Sequence, residues 1–561
     1  MAANGTSNAM NFGIVGAGIA GLGAAIALRR AGHHVEVYEK STFKREIGAA
    51  ILLTPNANRI LRRWGFDFDK ARPVDFKQYR LLNATSLEIL DRDGFEDVEE
   101  RFGARMCAYH RVDLHSGLRE LAEKAGATIN LGAEVVDVKP EDGVVTLATG
   151  QTVQKDLWVL ADGSRCPFLE TISGEDNPTK KIGKSVYRWL APMDKVLEHP
   201  DAKKLWNGQG AGFCTFSEPK AGITMVTYPC RGGTLLNCAV FHDTRVEEIN
   251  AMDWNADSSH ERVLQMLENC HEVVKHIPHT AEQMKVYTVT QRPPSKRIWR
   301  GRMLCVGDVV HHMLPTHAQG GCSALEDAAA LEILFDASTI SPNAGDLAKR
   351  LELYTQLRLP RSATTQILSS TNPWLTMEQV AKKTEEIRQF YEGNLVDWPK
   401  GLEPWSAPIR EFFYGYDAVG EAEEAMKYRD VSSDKDQITT LLHAYGKVLA
   451  THSIEDLLNI YTSDGVIMAP GFKPAVGFEA LKSSYERIFS TIKLEIDFTI
   501  DEIVVMNDEW AFARTTAEGT KHWLKKGTQE FHHNQEIFIC RKEGGKWKIA
   551  RYIFSSMKPL Q

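Results

Sequence analysis

A glycine-rich turn near the N-terminus sets the first requirement for how this chain folds. From Asn11 the chain reads NFGIVGAGIAGLGAAIALRRAGHHVEVYEK, with Gly16, Gly18 and Gly21 between a short apolar strand and an Ala/Leu-rich helix. In such a turn the first glycine permits the tight bend, the second lets the backbone approach a pyrophosphate, and the third brings helix and strand together. Glu39 ends the next strand, where a carboxylate can bind ribose hydroxyls and disfavours a 2′-phosphate. The pattern predicts a βαβ unit that binds FAD or NAD(H) rather than NADP(H).

The length of the chain requires further domains. It has 561 residues, whereas a single hydrophobic core stops growing at about 250 to 300 residues. The net charge of −8 comes without a dense Lys/Arg block, which argues against nucleic acid as a partner. No apolar run reaches the roughly 18 to 20 residues of a transmembrane segment, and the polar, uncharged leader does not resemble a secretory signal. A soluble protein of several domains is predicted.

The nine cysteines bear on compartment and metal binding. They are scattered along the chain without a CxxC pair or a Cys/His ligand spacing. This predicts buried free thiols, a reducing and cytoplasmic compartment, and no metal site.

A second motif has the chemistry of a flavin site. Residues 301–331 read GRMLCVGDVVHHMLPTHAQGGCSALEDAAAL. An apolar strand delivers Asp308, which can hold a polyol hydroxyl. The amides of Gly320 and Gly321 at a helix start can face an electron-rich carbonyl of an isoalloxazine ring. The motif therefore favours FAD over NAD(H).

Together with HRVDL at residues 110–114 and WVLADG at residues 158–163, these motifs resemble the FAD-dependent aromatic monooxygenases of the salicylate hydroxylase type. The resemblance extends roughly from Phe12 to Leu359. It implies non-covalent FAD, NAD(P)H as reductant, O2 as co-substrate, and oxygen transfer through a flavin C4a-hydroperoxide. Besides the three glycines of the first turn, the cofactor contacts that it implies are Glu39, Ala50, Arg111, Asp162, Asp308, Pro315, Gly320 and Gly321.

Three positions depart from the family pattern. Cys166 stands where the aspartate-glycine motif usually continues with serine, and Leu169 replaces its arginine. That motif is often given a role in coupling to NADPH, for which this chain offers less support. Leu52 occupies the place of a histidine base that some members carry. A second dinucleotide fingerprint and a CxxxxC pair are both missing from the sequence, which argues against a disulfide reductase.

Residues 181–292 alternate in hydrophobicity, which predicts an antiparallel sheet inserted into the nucleotide fold and covering the flavin. Its YR and YPCRGG segments resemble family segments that line the substrate pocket. Arg188 and Tyr228 are therefore candidates for orienting substrate or handling protons. The alternative is a structural cross-strand arginine and a half-buried tyrosine.

Three histidines flank the flavin motif, at positions 311, 312 and 317. They could relay protons or orient a phenolate, or they could simply contact backbone or solvent.

The C-terminal part, residues 437–561, is predicted to contain three helices followed by four long alternating strands, and it resembles the NTF2-like, SnoaL-type cone. His532 and Glu536 share one face of a strand, and Arg514 and Arg551 could line the same cavity. Such a cone could process the product, catalyse a separate non-redox isomerisation or cyclisation, or serve as a dimerisation module. A solvated sheet face would also explain the pattern.

The predicted fold is an α/β Rossmann-type FAD-binding domain with an inserted antiparallel substrate sheet, a helical linker and a C-terminal α+β NTF2-like cone. We expect hydroxylation of a bulky phenolic or polyketide-type secondary metabolite, with possible homodimers through the C-terminal domain. The alternatives are epoxidation of a terpenoid or alkaloid alkene, and a non-redox reaction in the cone. The expected boundaries are residues 10–180 and 293–360 for the two parts of the FAD-binding domain, 181–292 for the substrate domain, 361–436 for the helical cap and linker, and 437–561 for the cone.

Overall fold

The computed structural model divides into two compact units, Met1–Ala425 and Met426–Gln561. Within the part of the chain that it describes, no helix is both long and apolar enough to cross a membrane. The described residues are 8–43, 49–207, 210–218, 222–245, 248, 256–257, 260–371, 376–390, 405–427, 429–507, 509–543 and 546–557.

A six-stranded sheet forms the centre of the first unit. Five of its strands run parallel to one another, so their carboxyl ends meet at one edge, and only Trp299–Arg300 pairs antiparallel, with Met303–Cys305. Helices Ile19–Arg30 and Gln319–Leu334 pack together beside it. Gly23 permits this approach, because a Cβ there would lie 3.2 Å from the Ala328 Cβ. From one edge to the other the strands are Trp299–Arg300, Met303–Cys305, Leu157–Leu160, Asn11–Val15, His34–Glu39 and Thr128–Leu131.

The predicted substrate sheet is present and is larger than expected. Two of its eight strands, Gln78–Asn83 and Ile89–Gly94, come from the segment 10–180 that the sequence assigned wholly to the nucleotide domain. Gln78–Asn83 joins in parallel, whereas the other neighbours are antiparallel. The strand order is Ala256–Asp257, Met284–Gln291, Lys180–Pro192, Leu235–Asp243, Ile223–Cys230, Gly212–Glu218, Gln78–Asn83 and Ile89–Gly94.

The two faces of this sheet pack against different cores because side chains alternate along each strand. Tyr187 and Trp189 point into a core formed with helices His260–Met266 and Glu272–His279. Tyr228 and its neighbours on the opposite face, called the inner face below, belong to a second core.

Smaller elements complete the first unit. Two three-stranded sheets consist of Ala50–Leu53, Cys107–His110 and Val74–Asp75, and of Thr152–Gln154, Val144–Leu147 and Val135–Lys139. The remaining helices, in chain order, are Pro55–Trp64, Phe68–Ala71, Val98–Phe102, Arg111–Lys124, Leu169–Ser173, Met193–Val196, Pro200–Trp206, Asp308–His311, the 3-10 turn Pro315–His317, Ala344–Ser369, Met377–Arg388, Ala407–Tyr414 and Ala418–Lys427.

The second unit is a cone of three helices and a curved sheet. Helix Arg429–Thr451 runs across the boundary between residues 436 and 437 that the sequence predicted between the linker and the cone. The other helices are Ile454–Ile460 and Phe478–Phe489. The strand order is Ala475–Val476, Tyr461–Met468, Lys546–Ser556, Thr528–Glu543, Trp510–Trp523 and Ile492–Val505.

Candidate active site

The glycine-rich turn leaves space at one of its three glycines. Gly16 has φ +95°, and a Cβ there would lie 2.7 Å from the Ala161 carbonyl oxygen. A Cβ on Gly21 would lie 1.9 Å from the Gly16 carbonyl oxygen, whereas a Cβ on Gly18 would meet nothing within 4 Å. Gly16 and Gly21 are therefore needed for close backbone packing. Gly18 borders open space at the N-terminus of helix Ile19–Arg30, and backbone amides at a helix N-terminus can bind a pyrophosphate.

Glu39 is held at the end of its strand beside this turn. Its carboxylate accepts hydrogen bonds from the Ala17 and Ser41 amides, each at 2.7 Å. These bonds fix the orientation of the carboxylate and leave acceptor capacity for a ribose hydroxyl.

Asp308 lies at the carboxyl edge of the same sheet. Its side chain is 48% exposed, and His312 Nδ1 is 3.8 Å away. Desolvation opposes its charge, but the interaction with the nearby His312 outweighs that effect and lowers the pKa of Asp308. A Cβ on Gly320 would lie 3.9 Å from the Asp308 carboxylate, so the GD turn is adjacent to the start of helix Gln319–Leu334.

Asp162 contributes a buried oxygen without a partner among the described residues. Burial is the main cause that raises the pKa of this carboxyl. Arg292 connects its loop to the GD turn, because the guanidinium donates to Ser164 O at 2.7 Å and to Val309 O at 2.5 Å. An unsatisfied buried oxygen at the junction of the two loops is the feature expected where a ligand completes the hydrogen bonding.

The acidic pair Glu326-Asp327 of the second motif contacts buried arginines and holds the loops in place. Asp327 accepts from the Gly307 amide at 2.9 Å and lies 3.0 Å from Arg358 Nε. Glu326 lies 3.0 Å from both Arg358 and Arg361. All four charged side chains are at most 5% exposed. These two acids of the motif therefore serve the buried ion pairs.

Neighbouring positive charges determine the protonation state of the two carboxyl groups in this network. Burial alone would raise the pKa of Asp327, but His311 and Arg358 outweigh burial and lower it to about 2. The pKa of Glu326 is lowered for the same reason by Arg361 and Arg358, against the effect of burial. Both carboxylates are ionised near neutral pH.

The strand Ala50–Leu53 lies between the second motif and the substrate sheet. A Cβ on Gly321 would come within 3.0 Å of Ile51 Cδ1, so the helix start and this strand are in close contact. The Arg111 amide donates to Ala49 O at 2.7 Å, and its side chain is exposed at the first position of helix Arg111–Lys124. Pro315 is also exposed, at the start of the 3-10 turn.

Both predicted catalytic residues reach the same carbonyl of that strand. Arg188 donates to Ala50 O at 3.1 Å and to the Tyr287 hydroxyl at 2.7 Å. The Tyr228 hydroxyl donates to Ala50 O at 3.4 Å. Arg188 does make the cross-strand contact that a structural arginine would make, and Tyr228 is more deeply buried than expected, at 8% exposure. The two groups nevertheless lie beside the backbone that the sequence assigned to the flavin.

Aromatic side chains cover the inner face around Tyr228. Phe213 makes edge-to-face contacts with Phe76, Tyr228 and Trp405, at centroid distances of 4.7, 5.3 and 5.5 Å. Phe413 extends the group through His317, at 5.2 Å. We call Phe76, Phe213, Tyr228, Trp405 and Phe413 the aromatic wall.

Comparison with known proteins identifies the chain. A family model described as FAD binding domain matches residues 10–366, and one described as SnoaL-like domain matches residues 442–550. The FAD-dependent monooxygenase cfoG of Aspergillus candidus is 32% identical over 438 residues, which are 76% of this chain and 97% of cfoG. The chain belongs to the FAD-dependent aromatic monooxygenases. Hispidin-3-hydroxylase of Neonothopanus nambi is 30% identical over 434 residues, covering 75% of this monooxygenase and 97% of the relative.

A solved structure supports the fold of the first unit. CtdE, crystallised with FAD and a substrate, superposes with a TM-score of 0.62 at 21% identity. The match covers 76% of this monooxygenase and 100% of CtdE. The monooxygenase therefore has the FAD-binding fold with a substrate sheet, followed by a SnoaL-like cone.

The three histidines beside the flavin motif of this monooxygenase have different partners. His311 Nε2 lies 2.8 Å from Asp327, so it belongs to the buried charge network. His312 Nε2 lies 2.8 Å from the Thr290 hydroxyl, and its other nitrogen faces Asp308. His317 is 1% exposed, and its Nε2 has no hydrogen-bond partner in the described part of the chain.

The interior of the cone contains a polar cluster whose members bond to one another. Glu536 accepts from the Tyr552 hydroxyl at 2.7 Å and the Thr515 hydroxyl at 2.8 Å. The Tyr485 hydroxyl lies 2.9 Å from those of Tyr445 and Tyr461. Burial raises the pKa of Glu536, although its two hydrogen bonds oppose the change.

One expectation about the cone is wrong. Arg514 pairs in register with Ile537, and Arg551 pairs with Ile539. Both arginines therefore lie on the outer face, whereas Glu536 points inward. Arg514 contacts Asp501 there, and neither arginine lines the cavity with Glu536.

The first unit also has a surface groove of about 600 Å³, and its lining includes Pro229, Gly232 and Gly233 of the YPCRGG segment. Asp75, Lys77, Arg105 and Trp206 are among its lining residues. Among the described residues, no group of three or more His, Cys, Asp or Glu side chains is arranged to hold a metal ion.

Sequence reasoning missed the cations that position the site. Arg292, Arg358 and Arg361 are each at most 5% exposed. The signal was present, because Arg358 and Arg361 are three residues apart on one helix and the second motif carries two adjacent acids. A paired acid in an apolar helix needs a buried cation.

Proposed function

We propose that this monooxygenase hydroxylates a bulky phenolic or polyketide-type substrate that lies against the aromatic wall, with Arg188 and Tyr228 orienting it. The single observation that carries the proposal is the placement of both polar groups against Ala50 O, at the junction of the wall and the flavin motifs. A wall of aromatic rings favours a flat aromatic substrate through offset and edge contacts. A relative at 30% identity is named as a hydroxylase of the aromatic compound hispidin.

FAD, once reduced by NAD(P)H, supplies the chemistry that activates O2. We assign its pyrophosphate to Gly16, Gly18 and Gly21, its adenosine ribose to Glu39, and its ribityl chain to Asp308. Contacts to the ring system are assigned to Ala50, Arg111, Asp162, Pro315, Gly320 and Gly321. The space at Gly18 and the unpaired oxygen of Asp162 support this assignment.

The polar groups of the substrate site differ in charge. Desolvation opposes the charge of Arg188, but the hydroxyls of Tyr287 and Tyr228 outweigh this effect and raise the pKa of its guanidinium. Burial raises the pKa of Tyr228 to about 12. Near pH 7 the site therefore presents one fixed cation and one neutral phenol, which suit an anionic or acidic oxygen of the substrate.

The test begins with the purified full chain. Heating is expected to release FAD into the supernatant, and a phenolic substrate is expected to accelerate NAD(P)H oxidation. With ¹⁸O2, one labelled oxygen should enter a ring hydroxyl of the product. A labelled epoxide would favour the alkene epoxidase, and NAD(P)H oxidation that no substrate accelerates would contradict the proposal.

Replacing Arg188 should separate substrate binding from cofactor binding. Arg188→Gln removes a charge-assisted contact of about 1.5–3 kcal/mol, so KM should rise about tenfold to a hundredfold while the flavin content is retained. Lys184→Gln is the matched control, because this exposed residue on the same strand pairs with Asp243. Equal effects of both substitutions would contradict the role of Arg188.

We propose further that the cone mediates homodimer formation through its outer face. Val504, Phe512, Ile539, Ile537 and Ile553 follow one another across four strands of that face. Ile537 and Ile553 are paired directly and are 46% and 43% exposed. Light scattering should give a dimer mass that Ile537→Lys halves, and a wild-type monomer at micromolar concentration would contradict this proposal.

A reducing, cytoplasmic compartment remains part of the proposal. All nine cysteines are free and buried, so the fold is built around thiols and not around disulfides. Fractionation of the source cells would test the compartment.

A further inference from the structure

His317 Nε2 and His311 Nδ1 are both buried without a partner among the described residues, but the ring of His311 is held by Asp327 through its other nitrogen. His311 and His312 each have a hydrogen-bond partner, whereas His317 Nε2 is buried without one among the described residues. Burying a ring nitrogen without a partner costs free energy, and native proteins seldom keep such an atom unless a ligand or water satisfies it.

The backbone holds His317 in this position. The Gln319 side-chain amide donates to His317 O at 3.1 Å, and the same amide donates to Thr54 at 2.9 Å. Ala318 has φ +55°, a conformation that a residue with a Cβ adopts at a cost. The turn is thus fixed in a strained form that keeps the imidazole inside the protein.

His317 lies at the opposite end of the aromatic wall from Arg188. Its ring is 5.7 Å from Trp405 and 5.2 Å from Phe413. From Trp405 the ring contacts continue through Phe213 to Tyr228, which shares Ala50 O with Arg188. Polar groups therefore stand at both ends of one buried aromatic cluster.

The two ends differ in chemistry. Burial lowers the pKa of His317 to about 4, so near pH 7 the imidazole is neutral and has one N–H and one lone pair. A neutral imidazole can bind a hydroxyl or a carbonyl, but it does not attract a carboxylate as a cation does. The fixed charge of Arg188 suits an acidic oxygen.

We propose that His317 is a substrate-positioning residue, whose Nε2 hydrogen-bonds a neutral hydroxyl or carbonyl oxygen at the far end of an elongated aromatic substrate. The inference rests on the proposed function, since it places the substrate against the same wall with its acidic oxygen at Arg188. It restricts the substrate to aromatic compounds that carry two polar ends. A small phenol with a single polar group would leave the His317 nitrogen unsatisfied.

The test pairs a change in the protein with a change in the probe. Two probes are 4-hydroxy-2-pyranones with a styryl substituent, one with a para-hydroxyl on the styryl ring and one without it. Perturbation of the flavin spectrum of the holoenzyme gives the dissociation constants. Replacement of His317 by Phe should weaken binding of the hydroxylated probe about fivefold to tenfold and leave binding of the other probe nearly unchanged.

Two further variants guard the interpretation. His317→Gln keeps a hydrogen-bonding group and should restore part of the selectivity for the hydroxylated probe, even if His317→Phe folds poorly. His452→Phe is the matched control, because His452 also has an unpartnered Nε2 and stacks on Phe489 at 4.5 Å, but it belongs to the cone. This control should leave both dissociation constants unchanged.

The outcomes separate the two proposals. Equal weakening of both probes by His317→Phe overturns the role of His317 while the proposed function stands. If neither probe perturbs the wild-type flavin or accelerates NAD(P)H oxidation, the proposed substrate class fails, and this inference fails with it. A selective loss that Gln partly reverses supports the inference.

Discussion

The first unit, called the flavin-binding unit below, and the cone both bury polar side chains, but the hydrogen bonding of these side chains differs. In the flavin-binding unit the network of Glu326, Asp327, Arg358 and Arg361 is charged, and elsewhere in the unit Asp162 Oδ1 is buried without a partner among the described residues. In the cone the hydroxyls around Tyr485 and Glu536 bond to one another. A buried oxygen without a partner is available to a ligand, whereas a polar cluster whose members satisfy one another specifies a fold. The difference favours the first unit as the catalytic one.

The largest expected effect comes from breaking the charged network. Arg358→Met leaves two carboxylates with less compensation in a buried site, which should cost about 3–5 kcal/mol of unfolding free energy. The matched change in the cone, Tyr485→Phe, removes one hydroxyl and should cost about 0.5–1.5 kcal/mol. Denaturant unfolding of the full chain measures both. Similar costs would remove the contrast between the two interiors.

A smaller effect is expected from a change at Asp308, the proposed contact to the ribityl chain of FAD. Asp308→Asn removes a charge at an exposed position without disturbing the core, so the apoprotein should remain as stable as the wild type. The dissociation constant of FAD should rise about tenfold, because a charge-assisted hydrogen bond becomes a neutral one. Fluorescence quenching of added FAD checks this value, and Asp243→Asn, on an exposed strand end, serves as control. A loss of apoprotein stability would indicate a structural role for Asp308.

The smallest expected effects are changes of folding stability with pH, and these changes have opposite signs in the two units. The pKa of Asp327 is lowered to about 2, so its contribution to stability is complete above its ordinary value of 3.8 and is lost as the pH falls through 2. The pKa of Glu536 is raised above its ordinary 4.5, so its contribution is complete below 4.5 and is lost as the pH rises through the raised value.

The variant Glu536→Gln tests the direction in which stability of the cone changes with pH. The variant should gain stability relative to the wild type as the pH rises from 5 to 8, because the amide never has to ionise in the interior. Asp327→Asn should be less stable than the wild type at every pH in that range. Denaturation midpoints at the two pH values check both variants. A constant difference between Glu536→Gln and wild type would show that Glu536 does not titrate between pH 5 and 8.

The parts of the fold that local patterns determine could be predicted from the sequence. The turn at Gly16, the GD turn at Asp308 and the alternating strands of the cone depend on neighbouring residues, and the family match confirms the fold class. The recruitment of Gln78–Asn83 into the substrate sheet could not be predicted, because its partner Gly212–Glu218 is more than a hundred residues away. Neighbours in sequence carry no information about such pairing.

The candidate site shows the same limit. Motif spacing was enough to nominate Glu39, Asp308 and Arg188 as candidates, since each follows a strand or lies within a recognisable segment. It could not separate His311 from His317, because their difference lies in partners contributed by distant elements, Asp327 for the first and Trp405 for the second. The first two turns of the helix that begins at Arg429 were also missed, because their polar sequence resembles a linker.

Because the cysteines are unevenly distributed, alkylation of the natural thiols can follow the local unfolding of each unit separately. Eight of the nine buried thiols belong to the flavin-binding unit, and Cys540 alone belongs to the cone. A thiol becomes reactive towards an alkylating reagent when local unfolding exposes it. Mass spectrometry of partly alkylated protein would therefore resolve the two units without an added label, with a single adduct at Cys540 marking the cone and multiple adducts marking the flavin-binding unit.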